Sequence, residues 1–238
     1  MSRFLAIACA MGCSASVLGA EAFSNATVQP GGPRPPTSGE AFFNIEGNAN
    51  GNFASWGAAR FDMTADKAAL DALYGVNNWV VTGARLKLTQ SNAAFSTAGD
   101  VSVFFSSNNS TSFDSGTSPL RFNAGFLPGG NSQGADGLVR EATALVTYTY
   151  TPIASGTIDT YNLILSPGLL SRLMAGSASN IVTLTFEGQS DTVAATYAGF
   201  SNFTYDGPVL EIIAEQVPAP GSLALLGLSG LIAGRRRR

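Results

Sequence analysis

The chain has 238 residues, with 13 Lys and Arg against 16 Asp and Glu, no histidine, and a formal charge of −3. The acidic balance excludes nucleic acid as a partner, since that needs clustered Lys and Arg. The lack of histidine removes Ser-His-Asp and Cys-His nucleophilic machinery and the usual zinc, copper and non-haem iron sites.

The first segment reads as a secretory signal peptide over residues 1–22. Arg3 supplies the positive start, Phe4 to Leu18 is apolar and small, and Ala20-Glu21-Ala22 offers a cut to signal peptidase, after either Ala20 or Ala22. Both cysteines, Cys9 and Cys13, fall inside it. The residues three before them, Ala6 and Ala10, fit a lipoprotein box poorly. The mature chain is then free of cysteine, so its core must supply stability without disulfides. Losing Arg3, Glu21 and four terminal arginines also makes it more acidic.

Residues 23–39 include the Pro/Gly-dense stretch Val28 to Gly39 and read as an extended arm. Order is expected from about Glu40, in a domain spanning 40–216. Ala41 to Ile45 and Ala54 to Met63 are strand candidates separated by the turn cluster Asn48 to Asn52. A short helix follows, with Thr64 as N-cap, Leu70, Leu73 and Tyr74 as its buried face, and Gly75 as its stop. From Val80 to Gln90, Ala84, Leu86 and Leu88 alternate with Arg85, Lys87 and Thr89, the pattern of a half-buried strand. Val101 to Ser106 is another strand, followed by the polar loop Ser106 to Ser118 and the Gly-rich stretch Gly125 to Gly137. Glu141 to Thr151 alternates again, and Thr157 to Leu165 is a further strand. Ser166 and Pro167 open a second short helix, expected to bury Leu169, Leu170, Leu173 and Met174. Strands over Asn180 to Glu187, Tyr197 to Tyr205 and Val209 to Glu215 complete the set. About nine strands, two helical inserts and no βαβ alternation predict an all-β fold, an antiparallel β-sandwich of jelly-roll type.

The last 22 residues, 217–238, differ in character. Val217 and the rigid Pro218-Ala219-Pro220 lead into a short apolar run, Leu223 to Gly234, closed by Arg235, Arg236, Arg237 and Arg238. A stable membrane-spanning helix needs about 20 apolar residues, so this run suits transient membrane association. The arginines cannot cross cheaply and stay cytoplasmic. The prolines keep the preceding backbone extended, as a protease requires. Such an order suits a temporary tether that is cut.

This tail resembles the PEP-CTERM sorting signal, with Pro218-Ala219-Pro220 standing where that family has Pro-Glu-Pro. The resemblance implies recognition by an exosortase, a membrane protease of bacteria that make exopolysaccharide. It therefore implies export through the envelope to the cell surface or extracellular matrix. A second resemblance rests on strand patterning. Trp56-Gly-Ala-Ala-Arg60-Phe61, Gly83-Ala-Arg85-Leu-Lys87-Leu and Pro208-Val-Leu-Glu-Ile212 are similar to jelly-roll surface domains of the DNRLRE and carbohydrate-binding-module kind.

Catalytic signatures are lacking. There is no P-loop and no G-x-G-x-x-G between a strand and a helix. The carboxylates form no spaced pair signature, although a glycosidase needs only two. No cofactor is expected; a structural calcium ion is a secondary expectation, drawing on Asp62 with Asp66, or on Asp114. Trp56 and Trp79 are the candidate glycan-stacking residues, weighed against a role in the core. The expected function is a non-enzymatic structural or adhesive surface protein. The alternatives are a carbohydrate-binding module for exopolysaccharide and a carboxylate-dependent glycoside hydrolase or lyase.

Overall fold

The computed structural model describes residues 15–35, 38, 40–122, 138, 140–177 and 179–217. The chain forms the expected antiparallel all-β sandwich. Among the described residues, eleven strands follow in order: β1 (Ser16–Gln29), β2 (Gly32–Pro33), β3 (Phe42–Glu46), β4 (Trp56–Asp62), β5 (Trp79–Thr89), β6 (Gly99–Ser106), β7 (Val146–Tyr150), β8 (Ile158–Leu163), β9 (Ile181–Gly188), β10 (Ala194–Ala198) and β11 (Val209–Gln216). The helices α1 (Thr64–Tyr74) and α2 (Pro167–Leu173) interrupt them.

The main sheet runs β7-β6-β9-β4-β1-β11-β5-β8, while β3 and β10 pair separately. β1 belongs to both layers. Its first half, Ser16 to Glu21, pairs with β11, and its second half, Ala22 to Val28, pairs with β4. A bulge between Ala22 and Ser24 marks the change, the usual device for bending a strand from one layer into the next. The sheet thus folds on itself until its outer strands meet. Ile164 donates its backbone N–H to Leu145 O at 2.9 Å, tying the exit of β8 to the entry of β7.

The core between the layers is built from alternating strand residues. Leu86 and Leu88 of β5, Val101, Val103 and Phe105 of β6, Val182, Leu184 and Phe186 of β9, and Leu210 and Ile212 of β11 are all buried. Arg85 and Lys87 of β5 face out, and both pair with Glu211, at 2.9 and 2.5 Å. The small sheet closes one end: Phe43 of β3 packs edge-on against Phe186, ring centroids 4.8 Å apart. Gly57 makes room for it, since a Cβ there would meet the Phe43 ring at 2.6 Å.

Order begins earlier than the composition suggests. Residues 23–39, expected to form an extended arm, instead hold most of the second half of β1 and all of β2, and Asn25, Ala26, Thr27 and Val28 are buried. The cause is a second core on the outer face of the β1–β4 layer. There Ala26, Val28, Trp56 and Ala58 pack against Leu120 and Leu138, with Phe113 and Phe122 at the edge. The polar loop after β6 is a cover for this face, which explains why β4 and β9 are buried on both sides and show no alternation. Both expected signal-peptide cuts, after Ala20 and after Ala22, fall within β1.

The helices also depart from the expected pattern in detail. The α1 entry is capped by Asp62, whose Oδ1 accepts from the Thr64 backbone N–H at 2.9 Å. Leu70 is buried, but Leu73 is 61 % exposed; Asp66 and Lys67 are buried in its place. Lys67 Nζ turns inward because it donates to Asn180 Oδ1 at 2.7 Å and to the Arg172 carbonyl at 3.4 Å. Ser166 caps α2 as expected, its Oγ accepting from Leu169 N. Leu169 and Leu173 face in, while Met174 lies outside the helix and is 48 % exposed. The strand expected from Tyr197 to Tyr205 is shorter and earlier. It ends at Ala198, and Asn202 Oδ1 then organises a turn by accepting from Thr204 N and Tyr205 N, both at 3.0 Å.

Candidate functional site

The expected sorting segment leaves from one end of the sandwich. β11 runs between β1 and β5 and ends at Gln216, opposite Trp79. Val217 then donates its backbone N–H to Asn78 O at 2.9 Å. Asn78 lies in the turn joining α1 to β5, so Val217 is pinned to the α1 exit. Gly75 breaks the helix there at φ 92°, a left-handed value that favours glycine. Ser16, at the start of β1, pairs with residue 214 of β11 and shares a 2.7 Å hydrogen bond between its Oγ and Tyr74 OH. α2 closes the same end: a Cβ on Gly176, just beyond it, would sit 2.8 Å from Asn77 Oδ1.

Residues 216–238 match the PEP-CTERM protein-sorting motif. The PEP-CTERM motif begins at Gln216, the final residue of β11. Such a motif directs export to the cell envelope or surface and processing by an exosortase-type membrane protease. Among curated proteins, none matches the chain. Of the expected sorting residues, Val217 is placed by the structure. Pro218, Pro220 and Arg235 to Arg238 lie outside the described residues, as does the apolar run 223–234. Among the described residues, no helix is long and apolar enough to cross a membrane.

Trp56 and Trp79 do not come together and do not face solvent. Each is 2 % exposed. Trp56 donates from Nε1 to Arg121 O at 3.2 Å beneath the covering loop. Trp79 donates to Asp71 Oδ1 at 2.8 Å beside α1. Neither ring offers a free face to a sugar, so both serve the core.

The carboxylates weighed for calcium are committed elsewhere. Asp62 serves the α1 entry. Asp66 is buried, and that burial raises its carboxyl above the ordinary value. Asp114 accepts from Ser112 Oγ at 3.2 Å within its own loop. Among the described residues no cluster of three or more Asp or Glu is assembled.

Two carboxylates do meet at one cavity. Glu46 of β3 and Glu187 of β9 line a space of about 20 Å³ beside Trp56 and Phe122. Glu187 is wholly buried and ion-paired with Arg140. Burial raises the Glu46 carboxyl, partly offset by a hydrogen bond from Asn44 and by the Arg34 charge. The space is about that of a single water and far below the several hundred Å³ of ordinary ligand pockets. A larger recess of about 390 Å³ lies at the far end of β1, lined by Gln29, Pro33, Arg34, Asn52 and Ser115. Sequence reasoning missed it, because its polar groups come from three turns with no common motif.

Proposed function

We propose that this protein is a non-enzymatic, exosortase-sorted surface or matrix protein whose β-sandwich acts as a structural or adhesive module. One observation carries the reading: the sorting motif begins at Gln216, the last residue of β11. Cutting anywhere beyond Val217 therefore leaves every strand of the described residues intact. The small, ion-paired setting of Glu187 supports a non-catalytic module over a glycosidase, which holds its carboxyls roughly 5 to 9.5 Å apart across an open groove. Mass spectrometry of the envelope fraction tests the proposal. The mature chain is expected to end upstream of Leu223. Surface protein still ending in Arg238 would overturn the sorting reading, and release of sugars from exopolysaccharide by the purified chain would overturn the non-enzymatic one.

A second reading is carbohydrate binding, in keeping with the resemblance to carbohydrate-binding modules. The recess at Gln29, Arg34, Asn52 and Ser115 favours it, because it offers amide, guanidinium and hydroxyl groups, and Gln29 Nε2 donates to the carbonyl of Phe53, whose side chain is 63 % exposed. Binding lost in Phe53→Ala with an unchanged melting temperature would support this reading. A flat response across a broad glycan array would remove it.

A further inference from the structure

Exposed apolar side chains surround the point where β11 ends. Leu73 is 61 % exposed, Val76 68 %, Val80 47 %, Met174 48 % and Val217 40 %. They come from separate segments. Leu73 lies in the last turn of α1 and Val76 in the turn after it. Val80 opens β5 across the ladder from Glu215. Met174 follows α2. They are gathered at the tail exit by the hydrogen bond from Val217 N to Asn78 O and by the close approach of Gly176 to Asn77.

Two of these residues, Leu73 in α1 and Met174 just past the end of α2, stand where the sequence spacing calls for burial. The fold turns both outward and spends the inner face of α1 on Lys67 and Asp66. A single exposed leucine is ordinary on a protein surface. Several exposed apolar groups around one chain exit form a patch, and patches mark interaction surfaces.

We propose that this apolar collar is a membrane-contact surface that seats the domain on the lipid bilayer while the tail is still attached. The inference rests on the sorting reading above. Residues 217 to 222 separate β11 from the apolar run. Fully extended, they reach about 20 Å. With the run inserted in the membrane, this end of the sandwich cannot move further than that from the headgroups. Tethering at such range gives the collar a millimolar-scale effective concentration at the bilayer, so a weak apolar contact is enough to hold it. Seating fixes the domain's orientation. It keeps Pro218 to Pro220 at headgroup level, within reach of a membrane protease, and turns the far end of β1 outward. Once the tail is cut, the tether is gone and the small patch releases.

The test uses the full chain carrying Cys9→Ser and Cys13→Ser, with an environment-sensitive fluorophore attached through Val76→Cys or Phe203→Cys. Phe203 is 99 % exposed and lies in the loop at the opposite end of β11. Vesicles of phosphatidylethanolamine and phosphatidylglycerol carry a headgroup quencher. The probe at position 76 is expected to shift blue and be quenched, while the probe at 203 stays unchanged. If the chain floats with vesicles but both probes remain equally wet, the collar is wrong and the tail reading survives. If the chain does not associate with vesicles, the tail reading fails and takes the collar with it. Quenching at 76 that appears only when the vesicles contain the protease would make the collar a protein-docking surface and overturn the lipid assignment. The combined variant Leu73→Ser/Val76→Ser/Val80→Thr/Met174→Gln is expected to lower vesicle partitioning about tenfold at an unchanged melting temperature. Partitioning within twofold of the parent would overturn the proposal.

Discussion

Tyr148 of β7 and Tyr161 of β8 stack with ring centroids 3.7 Å apart and planes inclined by 16°. These strands stand at opposite ends of the main sheet's hydrogen-bonded path, so the stack closes the fold where the ladder does not. Tyr197 of β10 adds to it by donating from its OH to Tyr148 OH at 3.2 Å, and Tyr150 meets Tyr197 edge-on at 5.4 Å.

Removing the stack should loosen this seam specifically. Tyr148→Ala is expected to cost about 3–5 kcal/mol, as for other buried aromatics. Tyr148→Phe should cost about 1 kcal/mol through the lost hydrogen bond. Burial holds the phenols of Tyr148 and Tyr197 well above their ordinary value near 10. In the unfolded chain they ionise first, so stability is full below pH 10 and falls as pH rises beyond it. Alkaline denaturation curves should show that fall, and Tyr148→Phe should make it shallower. A parent chain whose stability is flat from pH 9 to 11.5 would contradict this account.

The two tryptophans give a second prediction. Trp56→Ala and Trp79→Ala should each destabilise the domain by about 3–5 kcal/mol in urea, because each indole is buried and hydrogen-bonded. Trp56→Ala should also free the covering loop, since Leu120 and Arg121 pack and bond against this ring. Early proteolysis between residues 107 and 122 would report it. Either alanine variant remaining as stable as the parent would return that tryptophan to the list of binding residues.

What the sequence reveals here follows from which faces are wet. β5 was legible because Arg85 and Lys87 face solvent, pair with Glu211 and leave Ala84, Leu86 and Leu88 as a clean alternating face. The second half of β1 was not, because Asn25 and Thr27 are polar yet buried, Asn25 accepting from Phe200 N and Thr27 from Asn44 N of β3, and no periodicity separates such a strand from a linker. Leu73 was misplaced because spacing cannot anticipate that Lys67 finds acceptors inside. The sorting motif was legible, since the order of prolines, apolar run and arginines can be read from composition alone. The recess near Gln29 was not, since only folding brings its turns together.

The Glu46 carboxyl carries a prediction about pH. Burial raises it above the ordinary value of 4.5. Below pH 4.5 folded and unfolded chains hold this proton alike. As pH rises, the unfolded chain releases it first, so Glu46 subtracts from stability once pH passes through the raised value. Glu46→Gln keeps an acceptor for Asn44 Nδ2, which now bonds Glu46 Oε1 at 3.3 Å, and carries no charge. The variant is expected to melt above the parent at pH 7, with the gap closing toward pH 4. A lower melting point at pH 7 would mean that the Arg34 attraction outweighs burial.

The buried pair of Arg140 and Glu187 supports the loop that makes β9 inaccessible from outside. Arg140 forms an isolated bridge with Ser106 at the end of β6, and its guanidinium carbon lies 5.9 Å from the centre of the Phe104 ring. The side chains are 2 % and 0 % exposed. At such burial the desolvation cost of the two charges rivals their attraction, so the pair contributes little relative to an apolar replacement. Breaking it is another matter, because a charge is left buried without its partner. Arg140→Met should therefore cost about 3–5 kcal/mol and open the loop between residues 107 and 122 to protease. Arg140→Met/Glu187→Leu should recover most of that loss, because no charge is then stranded. Equal destabilisation in the single and double variants would show that the bond geometry at Arg140, and not the stranded carboxylate, holds the loop in place.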